Sequence, residues 1–200
     1  MRQVQVVIAS VRPGRIGDQV AAWAVETMAS TPGLAFELVD LVDWRLPLDG
    51  ESAQPKQVGS EGYLQPQTRA WSRQVAGGDA FVFVTPQYNW GYPASLKNAL
   101  DHLYHEWVGK PAAVVSYGHR GGVKAAAQLR EVLNGLHMRA VATMPALVIK
   151  GAPMDPYGRL LDPAQTFAAA AADVQRAAEE IAAALTDASH EDDATSAASR

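Results

Sequence analysis

The sequence predicts an α/β fold, a three-layer sandwich built on a five-stranded parallel sheet. Short apolar runs alternate with longer amphipathic stretches five times along the chain, as in successive β–α units. The run AFVFV, Ala80–Val84, is apolar on both faces. A strand of that kind needs helices above and below it, as in parallel sheets. These two observations together indicate a doubly wound sheet.

Five segments have the apolar, strand-like pattern, and the last is interrupted by Pro145. The predicted strands are Val4–Ala9, Ala35–Leu41, Ala80–Val84, Ala112–Tyr117 and Arg139–Lys150. Right-handed crossovers leave few topologies for five such units. We therefore predict the flavodoxin-like strand order 2-1-3-4-5 rather than the six-strand Rossmann order.

A helical pattern follows each predicted strand. Val20, Trp23, Ala24 and Thr27 share one face of the first helix, and Gly77–Gly78 is a typical stop for the second. In the last helix, Asp162 is the predicted N-cap and Pro163 the first residue. The predicted helices cover residues 18–29, 67–78, 93–107, 122–136 and 163–185. We expect an extended loop over residues 42–62, one domain over residues 1–185 and a disordered polar tail over residues 186–200.

Composition narrows the possible functions. The chain has 200 residues, 48% of them apolar, which suits one globular domain. Its 17 Lys and Arg against 21 Asp and Glu give a net charge of -4, which argues against a general nucleic-acid binder. With no cysteine, disulfides, zinc–thiolate sites, iron–sulfur clusters and a thiol nucleophile are excluded. No stretch is typical of a signal peptide or a membrane span, so we expect a cytoplasmic protein.

In such sheets ligands bind beyond the carboxyl ends of the strands, near the switch point between strands 1 and 3. The first loop there, Ala9–Gln19, carries Ser10, Arg12 and Arg15 just before a helix. Hydroxyl and guanidinium groups at a helix N-terminus suit a phosphate dianion. The loop lacks the nucleoside-triphosphate and dinucleotide glycine motifs. The alternative is that Ser10 only caps the turn and the arginines lie in solvent.

The second loop, Thr85–Pro93, has the sequence TPQYNWGYP. Its aromatic residues Tyr88, Trp90 and Tyr92 alternate, and Asn89 offers both a donor and an acceptor. This pattern suits a planar ring that forms hydrogen bonds. Packing in the core is the alternative for some of these side chains.

The third loop, Ser116–Gly122, contains three glycines and precedes a helix. Glycines let backbone N–H groups approach a ligand closely. A turn without a ligand would have the same composition. Because all three loops lie at one edge of the predicted sheet, they favour one shared binding site.

The chain resembles the NADPH-dependent FMN reductase family, flavodoxin-like enzymes that include quinone, azo and chromate reductases. The resemblance runs from Val4 to about Ile149. It rests on S-x-R-x-x-R at Ser10–Arg15, on P-x-Y-N at Pro86–Asn89 with YPASLKNALDHLYHEWVGKP behind it, and on the third loop.

The resemblance implies an FMN site made from all three loops. Residues expected to hold the phosphate are Ser10, Arg12, Arg15, Ile16 and Gly17. Residues expected along the isoalloxazine ring are Pro86, Gln87, Tyr88 and Asn89. Residues expected on the pyrimidine side of the ring are Ser116, Tyr117, Gly118 and Gly121.

The resemblance further implies NADPH or NADH as reductant and a homodimer or homotetramer. The loop over residues 42–62, with Trp44, is then a candidate for the subunit interface, and Trp90 or Tyr92 for covering the nicotinamide or the acceptor. Two positions depart from the family: Gln87 stands where glutamate is common, and Ala94 where glycine is common. Gln87 could alter an interface contact or the charge near the acceptor.

The expected chemistry is that of the flavin: hydride transfer from the nicotinamide and then ping-pong reduction of quinones, azo compounds, free flavin or similar acceptors. No side chain is assigned as catalytic. Two alternatives remain: a flavodoxin-like electron carrier, and an FMN-binding regulatory protein without NAD(P)H turnover. The two arginines of the first loop favour the reductase, since flavodoxins use a loop rich in Ser and Thr.

Three histidines could suggest other chemistry. His102 and His105 have a spacing that could bring two imidazoles to a metal, but no third ligand lies nearby in the sequence. We predict no metal site. His119, in the third loop, is expected to face solvent.

Overall fold

A parallel six-stranded sheet forms the centre of the molecule in the computed structural model. The structure describes residues 1–48, 50–59 and 62–198, without the side chains of residues 188–198. The strands are β1 (Arg2–Ile8), β2 (Leu34–Asp40), β3 (Ala80–Pro86), β4 (Pro111–Gly118), β5 (Arg139–Ala140) and β6 (Ala146–Val148). Their order is β2-β1-β3-β4-β5, and β6 also pairs with β4. The predicted fold class and strand order are confirmed.

The predicted fifth strand is present as two short pieces on the same edge of the sheet. β5 pairs with the start of β4 and β6 with its end. Between them the chain leaves the sheet, and the Thr143 backbone N–H and hydroxyl both donate to the carboxylate of Glu180. The break therefore begins before Pro145 and is fixed by a contact with the last helix.

Helices cover both faces of the sheet. They are α1 (Gly17–Met28), α2 (Pro66–Ala76), α3 (Ala94–Asp101), α4 (Val123–Gly135), α5 (Pro163–Phe167) and α6 (Ala171–Ala198), with 3-10 turns at Leu41–Asp43 and Ala168–Ala170. One core cluster lies under α1, α5 and α6, and the other under α2, α3 and α4. β3 supplies both: Val82 and Val84 face the first cluster, and Phe81 and Phe83 the second. The run that is apolar on both faces thus lies at the centre of the sheet.

The third helix is shorter than the sequence predicted. It was expected to reach Trp107, but α3 ends at Asp101. The Leu103 N–H bonds to the Leu100 carbonyl, three residues back, and the chain continues in turns. Leu103 and Trp107 are still fully buried, so the apolar spacing persists after the helix has ended.

The C-terminal segment begins as predicted. The Asp162 carboxylate accepts from the Gln165 N–H, and Pro163 is the first residue of α5. Helix α6 then continues to Ala198, beyond the predicted end at Leu185. Residues 199–200 lie outside the described residues, and disorder of residues 186–200 in solution stays a prediction. Among the residues described, no helix is long and apolar enough to cross a membrane.

Candidate functional site

A pocket of about 370 Å³ opens at the carboxyl ends of β1, β3 and β4. We call it the strand-end pocket. Its volume lies within the range of small-molecule sites. Its lining comes from the three predicted loops and from the chain that follows β6. The lining residues are Arg12, Pro13, Gly14, Arg15, Ile16, Pro86, Gln87, Tyr88, Tyr117, Gly118, His119, Ile149, Met154 and Gly158.

The first loop brings two guanidinium groups to the N-terminus of α1. Gly14 has a φ of 71°, which turns the chain back between Arg12 and Arg15. No side chain caps α1 at Ile16. The positive end of the helix dipole therefore lies beside the two arginines, while the Asp18 carboxylate accepts from the backbone N–H groups of Asp18 and Gln19. This end of the pocket can bind an anion.

Two ion pairs hold the first loop in place. The Arg15 guanidinium pairs with Asp40 at the end of β2, and only 19% of the Arg15 side chain is exposed. Arg159 reaches across from the C-terminal segment, donating to Asp18 at 2.9 and 2.6 Å and to the Arg15 carbonyl at 2.7 Å. Burial raises the pKa of Asp18, but the hydrogen bond and charge of Arg159, together with the backbone N–H groups of Asp18 and Gln19, outweigh it, so the pKa lies below its usual value.

Three hydroxyl groups meet under the pocket. Ser10 is fully buried, and its Oγ lies 2.7 Å from the Tyr88 hydroxyl. Ser10 also forms a hydrogen bond with Tyr117. Burial raises the pKa of Tyr117 above its usual value, and Tyr88 and Asp18 raise it further. The Tyr117 hydroxyl therefore keeps its proton at neutral pH. Above this cluster, the Arg12 guanidinium lies 3.9 Å from the centre of the Tyr88 ring.

The second loop ties the pocket to α4. Gly122 precedes this helix and has no side chain to cap it. The Gln87 Oε1 takes that role, accepting from the Lys124 N–H at 3.0 Å and the Ala125 N–H at 3.3 Å. The next four residues form a tight turn, in which Tyr88 and Gly91 exchange backbone hydrogen bonds of 2.8 and 2.9 Å. Its central residues, Asn89 and Trp90, have φ values of 47° and 74°.

The third loop is fixed by glycine geometry. Gly121 and Gly122 have φ values of 78° and 76°, which residues with a side chain rarely adopt. A Cβ on Gly122 would lie 2.9 Å from the Tyr117 carbonyl oxygen. The Ser116 hydroxyl donates to the Gly121 carbonyl at 2.7 Å. The loop is therefore bent tightly against the end of β4.

The structure places eight of the predicted site residues in the pocket wall. The other five lie behind it or in adjoining turns: Ser10, Gly17, Asn89, Ser116 and Gly121. Ser10 and Ser116 are fully buried and bonded to pocket residues or to the third loop. His119 is exposed, as expected, but it also lines the pocket.

Sequence reasoning missed the loop after the fifth strand, which contributes Ile149, Met154 and Gly158. The rule favours loops near the switch point between strands 1 and 3, whereas β6 lies on the outer side of β4. The sequence of this loop lacks arginine pairs, aromatic alternation or a glycine cluster, so composition gave no signal.

Two histidines and a tryptophan that the sequence singled out lie outside the lining of the strand-end pocket. Among the described residues, no three His, Asp or Glu side chains lie together as a metal site. His102 and His105 contact different backbone carbonyls, those of Asn98 and Lys56. Trp44, a candidate interface residue, packs edge-on against Trp71 with ring centres 4.9 Å apart. A second cavity of about 340 Å³ is lined by α3, by His102 and by Leu48, Gly50, Glu51, Ala53 and Pro55.

Comparisons with known proteins place this architecture in a family. Residues 2–151 match the model of the NADPH-dependent FMN reductase family. An NAD(P)H-dependent FMN reductase of Schizosaccharomyces pombe is 47% identical over 166 residues, covering 82% of this chain and 81% of that protein. One from Saccharomyces cerevisiae is 48% identical over 147 residues, covering 70% and 77%. A quinone reductase of Pseudomonas putida is 35% identical over 176 residues, covering 82% and 87%.

Solved structures agree on the fold. A flavoenzyme NAD(P)H:(acceptor) oxidoreductase from Paracoccus denitrificans matches with a TM-score of 0.62 at 22% identity, covering 90% of this chain and 97% of that one. An NAD(P)H:quinone oxidoreductase from Methanothermobacter marburgensis matches with a TM-score of 0.61 at 18% identity, covering 88% and 97%. At these identities the likeness shows the fold alone. With the match over residues 2–151 and two relatives near half identity, the chain belongs to the NADPH-dependent FMN reductase family.

Proposed function

We propose that the protein binds FMN in the strand-end pocket and passes electrons from NAD(P)H to small acceptors such as quinones, azo compounds or free flavin. Its family membership makes it an oxidoreductase that works with FMN and a nicotinamide nucleotide. The observation that carries the proposal is the pair Arg12 and Arg15 at the uncapped N-terminus of α1, beside a pocket of about 370 Å³.

The residues present fit a flavin mononucleotide. Its phosphate needs cationic donors, and the first loop offers two guanidinium groups at the positive end of the α1 dipole. The Arg15 Nε is buried and has no hydrogen-bond partner among the described residues, so a cationic donor remains unsatisfied there. We propose that Arg12, Arg15, Ile16 and Gly17 hold the phosphate and that Ser10 supports this loop through Tyr88.

The ring of the flavin would lie against the second and third loops. Pro86, Gln87, Tyr88 and Gly118 line that part of the pocket. In our proposal Asn89, Ser116 and Gly121 shape this wall from behind, because the structure has them in adjoining turns or bonded within the third loop. Bound FMN supplies hydride acceptance from the nicotinamide and delivery of electrons to the acceptor.

The protein's own residues bind and orient, and none needs to exchange a proton in the reaction. Tyr117 keeps its hydroxyl proton at neutral pH, as tyrosines ordinarily do, and burial raises its pKa further. The hydroxyl cluster of Ser10, Tyr88 and Tyr117 fixes the floor of the pocket. We propose ping-pong order, in which the oxidised nicotinamide leaves before the acceptor enters the same pocket.

NADPH oxidation by the purified, FMN-loaded protein tests the proposal. Menadione, an azo dye and ferricyanide serve as acceptors, and parallel lines in a double-reciprocal plot are expected for ping-pong order. A protein that binds FMN but turns over with no acceptor would instead be an electron carrier or a regulatory protein. A protein that does not take up FMN would refute both the reductase and the carrier.

We further propose a homodimer or homotetramer, as the family resemblance implies, and a location in the cytoplasm. Light scattering after size-exclusion chromatography measures the oligomeric state, and a monomer at micromolar concentration would contradict the proposed oligomer. Imaging of a tagged chain in its native cell tests the cytoplasmic location.

A further inference from the structure

A hairpin in the C-terminal segment lies beside the first loop and forms part of the pocket wall. We call residues 153–161 the 153–161 hairpin. Its two sides pair at Met154 and Leu160. Met154 and Gly158 line the strand-end pocket. The match to the family ends at residue 151, so it says nothing about the role of this hairpin.

The hairpin is fixed to α1 through two neighbouring residues. The backbone N–H and carbonyl of Leu160 bond to the side-chain amide of Gln19 at 3.0 and 2.9 Å, and the Leu160 side chain is buried in the core. Beside it, the partly exposed Arg159 bonds to Asp18 and to the Arg15 carbonyl. Because Leu160 already anchors the hairpin, anchoring alone does not account for Arg159.

Asp18 places a negative charge close to the proposed phosphate site. It lies in the first turn of α1, directly after Gly17, and its carboxylate accepts from the backbone N–H groups of Asp18 and Gln19. Its pKa lies below its usual value, so the carboxylate is ionised at neutral pH. A carboxylate at a helix N-terminus stabilises the helix, but it repels a second anion that binds at the same end.

Arg159 compensates this charge from the side of the hairpin. Its guanidinium donates to both carboxylate oxygens of Asp18, at 2.9 and 2.6 Å, a two-point contact that fixes its orientation. It also donates to the Arg15 carbonyl at 2.7 Å, just before α1 begins. The guanidinium of Arg15 itself pairs with Asp40. Arg159 is therefore the arginine that neutralises Asp18.

We propose that Arg159 is a positioning residue for the phosphate of FMN, acting through Asp18 and the Arg15 backbone. By cancelling the charge of Asp18 while it holds the Arg15 carbonyl, Arg159 prepares the first loop for a phosphate dianion. The inference rests on the proposed function. Riboflavin has the same ring as FMN but no phosphate, so this role affects the binding of FMN and not that of riboflavin.

Four variants test the role of Arg159. Arg159→Met removes the guanidinium but keeps a long side chain, and Arg159→Lys keeps the charge. Asp18→Asn removes the opposing charge, alone and together with Arg159→Met. Arg176→Met is the matched control, because it breaks an ion pair with Asp173 on α6. Quenching of flavin fluorescence at pH 7 gives the dissociation constants for FMN and riboflavin, and the melting temperatures of the FMN-free variants are measured alongside.

We expect Arg159→Met to weaken FMN binding by about 3- to 10-fold, as suits the loss of one partly exposed charge near an anion, and to leave riboflavin binding unchanged. Arg159→Lys retains most of the FMN affinity, and Arg176→Met retains all of it. Adding Asp18→Asn to Arg159→Met recovers most of the loss. Asp18→Asn alone lowers the melting temperature yet binds FMN at least as tightly as wild type, a combination that a merely structural role does not produce.

Equal losses of FMN and riboflavin affinity in Arg159→Met would overturn the inference, as would an unchanged FMN affinity. If Arg159→Met does not fold, Asp18→Asn decides the question alone, because weaker FMN binding than in wild type contradicts the proposed role. A wild-type protein that binds no FMN refutes the proposed function and this inference together. A wild-type protein that binds FMN, with variants that fail these expectations, refutes the inference only.

Discussion

At the scale of single residues, Arg15 has a structural role and, in our proposal, also binds the phosphate. Its guanidinium pairs with Asp40, which holds the side chain at the pocket wall, while its Nε has no partner among the described residues. The sequence could identify the arginine but not its anchor, because Asp40 lies on a strand 25 positions away.

We expect Arg15→Ala to weaken FMN binding by about 1.5–3 kcal/mol, roughly 10- to 150-fold, the usual worth of hydrogen bonds to a charged group. Quenching of flavin fluorescence on titration measures the dissociation constant. Arg73→Ala is the control, since the last turn of α2 leads into the opposite end of the sheet. Equal FMN affinity in both variants would show that the phosphate binds elsewhere.

Gly122 shows why the third loop contains adjacent glycines. Its φ of 76° disfavours a side chain, and so does the 2.9 Å that would separate an added Cβ from the Tyr117 carbonyl oxygen. We expect Gly122→Ala to lower the free energy of unfolding by about 2 kcal/mol or more, from left-handed strain plus overpacking. Urea titration measures the change.

Gly135→Ala is the matched control for this effect on the same helix. Gly135 ends α4, and a Cβ there meets nothing within 4 Å. We expect Gly135→Ala to raise the free energy of unfolding by up to about 1 kcal/mol, the difference in helix propensity between the two residues. If Gly135→Ala lowers the free energy of unfolding as much as Gly122→Ala does, the backbone conformation of the third loop does not explain the effect at Gly122.

At the scale of elements, Gln87 joins the second loop to α4. From sequence, its departure from the family's glutamate suggested an altered interface or acceptor charge. The structure instead gives the side chain a capping role at the helix N-terminus. A glutamate there could accept the same hydrogen bonds and add a favourable charge to the helix dipole.

We expect Gln87→Ala to lower the free energy of unfolding by about 1 kcal/mol, as loss of an N-cap does. Gln87→Glu should keep the cap and raise the free energy of unfolding by about 0.3–1 kcal/mol. Chemical denaturation of the FMN-free protein measures both, with exposed Gln128→Ala on the same helix as control. A Gln87→Glu variant less stable than Gln87→Ala would contradict the capping role.

The lengths of elements were harder to predict than their order. Apolar spacing predicted a helix to Trp107, since turns can bury residues at helix-like intervals as well as a helix does. The loop after β6 was missed because its composition has no distinctive local pattern, and the contact that joins it to the first loop, from Arg159 to Asp18, spans 141 positions.

At the scale of the whole molecule, the fold followed closely from the sequence. Five β–α units and the doubly apolar β3 were enough to predict the sheet order, because parallel topology leaves few choices. A pocket lies at the edge of the sheet where the binding site was predicted. The sequence could not show which predicted residues line that pocket and which lie behind it, as Ser10 and Ser116 do.

The Asp18–Arg159 pair links the C-terminal segment to the first loop and makes stability depend on pH. Because the folded-state pKa of Asp18 is below the unfolded value of about 4, the pair stabilises the folded state above that pH. The stabilisation is lost as the pH falls through the folded-state pKa. We expect the difference in melting temperature between wild type and Asp18→Asn to be present at pH 7 and to be smaller at pH 3.

Asp173→Asn is the control for this pH effect. Its partner Arg176 lies on the same helix at 3.6 Å, and both side chains are more than half exposed. Pairs of that kind contribute little. If the melting temperature of Asp18→Asn differs from that of wild type by the same amount at pH 7 and at pH 3, the charge of Asp18 is not the cause of the difference.

The interrupted fifth strand affects how copies of this protein can associate through the edge of the sheet. An uninterrupted outer strand offers a row of free N–H and C=O groups on which another chain can add a strand and aggregate. Here that border consists of the two-residue β5 and the three-residue β6, separated where Thr143 turns to Glu180. The border is too short and irregular to template such growth. Self-association on that side therefore depends on side-chain packing rather than on extension of the sheet.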